Sequence, residues 1–93
     1  MKRKIPSQVM IGNRKIRVIV KKLKQAHAEY DSDDYAVYID PATLAREDCD
    51  SYIFHELVHA ALHISGVDNV LDIKQEEAIC WALQHLLYPV YRK

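Results

Sequence analysis

No run of about 18 apolar residues occurs in this chain, so no segment is long enough to span a bilayer. Nor does an apolar stretch follow the basic start Lys2-Arg3-Lys4, and a signal peptide is not expected. Cysteine is scarce: Cys49 and Cys80 are the only two, without C-x-x-C spacing. In a chain with no export signal they are expected as reduced thiols, Cys80 in the core, with metal ligation the alternative. Net charge is missing too, because 13 basic residues cancel 13 acidic ones. That balance argues against a dedicated nucleic-acid or membrane-surface protein. The clusters that do exist, Lys21–Lys24, Glu29–Asp34 and Glu47–Asp50, read as solvated faces and loops. There is no internal repeat and no low-complexity segment. These absences leave one domain over residues 1–93, expected in the cytoplasm, small enough for a bound metal to add usefully to its stability.

What is present is concentrated at His55-Glu56-Leu57-Val58-His59, an H-E-x-x-H pattern in a helix-prone segment. Residues four apart on a helix lie one above the other, so both imidazoles can reach one metal ion, and Zn²⁺ suits such a pair. Glu56, between them, is placed to take a proton from a metal-bound water. The plainer reading is an amphipathic helix with two surface histidines. Against it, Tyr52, Ile53, Phe54, Leu57, Val58, Ala60, Ala61, Leu62 and Ile64 make the helix apolar almost all round, which predicts burial. Polar groups inside a buried helix need partners, and a metal supplies one.

Around this helix the pattern predicts further elements. Gln8–Ile11 and Lys15–Lys22 flank Gly12-Asn13 as a hairpin, with Ile16, Val18 and Val20 on its buried face. Lys22–Ala28 is ambiguous between strand and short helix. Asp31–Asp34 reads as a turn, and Tyr35–Asp40 as a strand with Tyr35, Val37 and Ile39 on one face. Asp40-Pro41 starts a short helix over Ala42–Arg46. The H-E-x-x-H helix is expected to start near Asp48–Asp50 and to stop at Gly66. Asp72 and Gln75 form a capping box for a last helix, Ile73 to about Tyr88, before Pro89.

A catalytic zinc site usually has three protein ligands and an open position. The spaced third histidine of the metzincins is absent, since Leu62 and Ser65 stand where its glycine and histidine would be. A glutamate from the last helix remains, either Glu76 or Glu77. Glu76 shares a helix side with Ile79, Cys80, Leu83, Leu86 and Leu87, and a carboxylate aimed into a core needs a cation. Glu76 is therefore preferred, with Glu77, on the more polar side with Trp81, Gln84 and Tyr88, kept open. The plain role for either is to complement the helix dipole. His63 lies about 12 Å along the axis from His55, too far to share one ion, and reads as a polar group behind the ligands. His27 and His85 read as surface histidines.

The stretch HELVHAALH at residues 55–63, followed by a Glu-led helix ending in ALQHLLYP, resembles the ImmA/IrrE-type zinc metallopeptidases and the minimal H-E-x-x-H proteins of phage and prophage genes. His63 matches a histidine frequent in that pattern, and Glu76, Ala78, Trp81-Ala82, Leu86-Leu87 and Pro89 follow its later helix. The spacing between Trp81 and Leu86 is one residue longer than in the family. The resemblance implies an α+β zincin-like fold: a small twisted β-sheet of about three strands packed on two main helices, with zinc between them. By analogy, Tyr35–Asp40 is expected to be the edge strand that pairs with an extended peptide. The expected function is zinc-dependent hydrolysis of a peptide or protein substrate, with no nucleic-acid or membrane partner. His55, His59 and Glu76 would hold Zn²⁺ and Glu56 would activate a zinc-bound water. Tyr35, Tyr38, His85, Tyr88 and Tyr91 are candidate donors to the developing oxyanion. The alternatives are a non-catalytic zinc-binding regulatory or partner-binding protein, and a small nucleic-acid-associated factor using the basic N-terminus.

Overall fold

A Gly-Asn pair between two β-prone runs folds them back on each other. Strands β1 (Gln8–Ile11) and β2 (Arg14–Val20) pair antiparallel with Ile11 opposite Arg14. Gly12 takes φ 59°, the left-handed conformation required at the first position of such a two-residue loop. Ile16 and Val18 turn into the core, whereas Val20 at the strand end is exposed. The computed structural model describes residues 5–92, so Lys2-Arg3-Lys4 lies outside the described residues.

The remaining strands differ from the expectation. Ala28–Asp31 forms a strand, β3, which pairs antiparallel with β4 (Ala36–Ile39). The turn between them is held by Asp31, whose carboxylate accepts from the Asp33 and Asp34 N–H groups. β4 runs parallel to β2, giving the sheet order β1-β2-β4-β3. The segment expected at the edge is therefore interior, and β3 is the edge strand on its side of the sheet. Ala36, Val37 and Ile39 are fully buried, as expected of a strand with a neighbour on each side.

Asp40 ends β4 and begins α1 (Pro41–Leu44). Its carboxylate accepts from Ala42 N–H at 3.0 Å and from Leu23 N–H at 2.8 Å, and these bonds hold its pKa below the usual carboxylate value. Helix α2 (Cys49–Ser65) packs on the sheet through β3 and β4 and stops at Gly66, where φ is 83°. Its Cys49, Ile53 and Ala60 form the core with Ile16, Val18, Ala28, Val37 and Ile39 of the sheet. The rest of α2 is half-buried rather than enclosed, because a domain this small has too few elements to cover every side of a helix.

The capping box forms at α3 (Ile73–Ala82): Asp72 accepts from Gln75 N–H at 2.7 Å, and Gln75 Oε1 accepts from Asp72 N–H at 2.9 Å. Replacing Asp72 with alanine is expected to lower stability by about 1 kcal/mol in urea denaturation. Beyond Ala82 the helix widens into a π turn, Leu83–Leu87, and resumes as α4 (Tyr88–Tyr91). Pro89 does not end it, since it falls in the first turn of α4, where no N–H is required. The π turn takes one more residue than an α turn, and Leu86 and Leu87, expected inward, are exposed. Gln84, expected on the polar side, is buried. The protein is thus α+β, a four-stranded mixed sheet with helices packed on it. Among the described residues no helix is long and apolar enough to cross a membrane.

Candidate metal centre

His55 and His59 project from one face of α2, one turn apart, with ring centroids 5.1 Å from each other. Helix α3 and the π turn close over them. Glu77 Oε1 lies 3.0 Å from Nε2 of His55 and 3.2 Å from Nε2 of His59. The other edge of each ring is held separately. His55 Nδ1 is 2.8 Å from Gln84 Oε1, and His59 Nδ1 is 2.5 Å from Glu76 Oε2. Both glutamates thus reach the histidines, Glu76 from behind one ring and Glu77 where the two Nε2 atoms converge. The buried thiol of Cys80, one turn along α3, completes a cluster. Ligand atoms of His55, His59 and Cys80 lie within 4.8 Å of one another, and this group could hold a metal ion.

Charge in the cluster is tightly coupled. Burial pushes the Glu56 carboxyl up to about 7, against the opposing pull of the His59 charge and of the Tyr30 N–H that it accepts. Burial works against a charged His59. Its bonds to Cys80 and Glu76, and the charges of Cys80 and Glu56, outweigh that and raise it to about 10. In the metal-free protein His59 is therefore the cation around which these acidic groups gather.

Glu56 lies on two adjoining cavities. One, of about 380 Å³, is bordered by Tyr30, Glu56, His59, His63, Glu76 and Glu77. The other, of about 320 Å³, is bordered by His27, Tyr52, His55, Glu56, Trp81 and His85. Ala28 borders both, so together they form a groove along β3. Asp40 N–H bonds the His27 carbonyl. Strand alternation then turns the backbone groups of Ala28 and Tyr30 away from β4, on the free edge of the sheet.

The other predicted residues are placed as follows. His63 stands behind the pair, with Tyr30 Oη 2.9 Å from its Nδ1. Of the candidate oxyanion donors only His85 borders the groove, stacked on Trp81 with centroids 4.6 Å apart. The Tyr38 hydroxyl donates to Asp34, Tyr35 lies under the Arg14 guanidinium, Tyr88 packs on Phe54, and Tyr91 is exposed. Tyr30 and Gln84 were not foreseen. Tyr30 belongs to a four-residue strand, too short for its alternation to announce it, and Gln84 is positioned by a packing contact between helices. No family model, curated protein or solved structure matches the chain.

Proposed function

We propose that this protein is a zinc-dependent metallopeptidase with a zincin-like arrangement. The observation that carries the reading is the convergence of His55 Nε2, His59 Nε2 and Glu77 Oε1, with both Nδ1 atoms tethered elsewhere and Glu56 beside them. Two imidazoles and a carboxylate are the donor set of a hydrolytic zinc site. Glu77 is the third ligand, and Glu76 orients His59 through Nδ1, as a carboxylate behind a ligating histidine does. The bound cation supplies Lewis acidity to the peptide carbonyl and acidifies the attacking water. Glu56, between the two histidines and on the same cavity, is placed to accept the proton of that water and return it to the leaving nitrogen. The groove-facing backbone of Ala28 and the carbonyl of Tyr30 suit pairing with an extended peptide, which moves the role expected of Tyr35–Asp40 to β3.

The test is metal content together with ligand exchange. Protein purified without added metal is expected to hold about one zinc per chain and to cleave unstructured peptides until a chelator is added. Glu77→Gln should weaken zinc binding more than about a hundredfold and Glu76→Gln by about 10–100-fold, the usual cost of an outer partner. Absence of zinc binding would overturn the reading, and a larger loss from Glu76→Gln would return the ligand role to Glu76.

One observation favours a second reading. Cys80 stands close enough to both histidines to be a further donor. Four protein ligands would close the centre to water and make the zinc structural. A Cys80→Ser protein that loses zinc, together with a wild type that cleaves no peptide, would select this alternative.

A further inference from the structure

We propose that a proton-wiring chain, Asp48–Ser51–Gln84–His55, fixes which nitrogen of His55 faces the metal centre, and that Gln84 is the positioning residue. This rests on the metal-centre reading above. The argument starts at a backbone carbonyl, which can only accept. Ser51 Oγ lies 2.7 Å from the Asp48 carbonyl, so the hydroxyl proton is committed to it. Ser51 Oγ then has only lone pairs to offer Gln84, whose amide nitrogen lies 3.2 Å away and donates to it. That sets the orientation of the amide, with Oε1 turned toward His55. Oε1 can only accept, so His55 Nδ1, 2.8 Å away, must carry a proton. A proton on Nδ1 leaves Nε2 as the one nitrogen able to ligate, and Nε2 is the atom facing Glu77.

Each link is supported by the fold. Ser51 sits in the first turn of α2, where the Asp48 carbonyl lies within reach of its hydroxyl. Gln84 follows Cys80 by four residues, so both lie on the face that covers α2, and Gln84 is 5% exposed. The π turn begins at that point, and Tyr88 then returns to α2 to pack on Phe54. Water in place of Gln84 could donate or accept and would leave the ring free to present either nitrogen. His59 is held differently, by the charged Glu76, so the two ligands are set by unlike partners.

The experiment compares wild type with Gln84→Met, which keeps length but loses the acceptor, and Gln84→Glu, which keeps an acceptor. Nitrogen-15 and proton NMR of the cadmium-113 form reads the ligating nitrogen through its coupling to the metal, and a slowly exchanging Nδ1 proton reports the bond to residue 84. Wild type should show ligation through Nε2 of His55 and a protected Nδ1 proton. Gln84→Met should lose that protection and about 10–100-fold in zinc affinity, and Gln84→Glu should restore both. Ligation through Nδ1 in wild type, an unchanged Nδ1 proton in Gln84→Met, or no rescue by Gln84→Glu would overturn the proposal. Should Gln84→Met not fold, Ser51→Ala, which frees the amide to flip, is expected to lower Nδ1 protection in the same way, and an unchanged signal there overturns it. If wild type binds no metal, the metallopeptidase reading fails, while the protected Nδ1 proton of metal-free His55 still decides the wiring.

Discussion

Glutamine at position 56 is expected to keep zinc bound and to lower kcat/KM for peptide cleavage by about 10²–10⁴, the usual contribution of a positioned general base. The amide keeps the shape of the carboxylate and can accept a hydrogen bond, but it cannot take a proton from water at neutral pH. A second readout separates chemistry from folding. The Glu56 carboxyl titrates at about 7 in the fold against 4.5 for the unfolded reference, so folding favours its protonated form. That advantage is complete below pH 4.5 and lost as pH rises through 7. At pH 8 with chelator, the ionised group costs about 3 kcal/mol. Glu56→Gln should therefore be more stable than wild type in urea denaturation at pH 8, and near equal at pH 4.5. Retained hydrolysis would remove Glu56 from its role, and equal stability at pH 8 would contradict its burial as a charge.

Zinc binding at pH 7.5 is expected to expel about one proton per ion, and the source is His59. Its pKa of about 10 in the metal-free protein means that it is charged there, and a ligand must be neutral. Calorimetry in buffers of different ionisation enthalpy measures the release. No release would show that the cation is not displacing the His59 proton. Linkage sets the sign for stability as well. The His59 pKa is raised from 6.5, so the metal-free fold gains most below pH 6.5 and loses that gain as pH rises through about 10. In chelator, Tm should fall from pH 6 to pH 9, and added zinc should shrink the difference by supplying the missing cation. His59→Ala should lower zinc affinity by more than about a hundredfold and abolish both the proton release and the zinc-dependent rise in Tm.

Much of the local structure is legible because its causes lie within a few residues. Gly12-Asn13 specifies a hairpin, Asp40-Pro41 a helix start, Gly66 a helix stop and Asp72 with Gln75 a capping box, each through a backbone conformation or a short-range hydrogen bond. The i, i+4 spacing of His55 and His59 sets both rings on one face for the same reason. β3 was hidden because Ala28-Glu29-Tyr30-Asp31 alternates over only four residues, too short a run to announce a strand, and it exists through its pairing with β4 and its contact with α2. The interior place of β4 has one signal in the sequence, the uncharged run Tyr35–Ile39.

The choice between Glu76 and Glu77 shows where sequence stops. Adjacent residues on a helix differ by about 100°, and which ring nitrogens each of them meets depends on how α3 is rotated against α2. That rotation is a property of the packed pair, set by Cys80 and Gln84 on the covering face and by the π turn that follows. The two imidazoles and the carboxylate between them were determined by residue order alone, because helix geometry is local. Which ring nitrogen each glutamate approaches, and which strand borders the groove, were decided only when distant segments packed together.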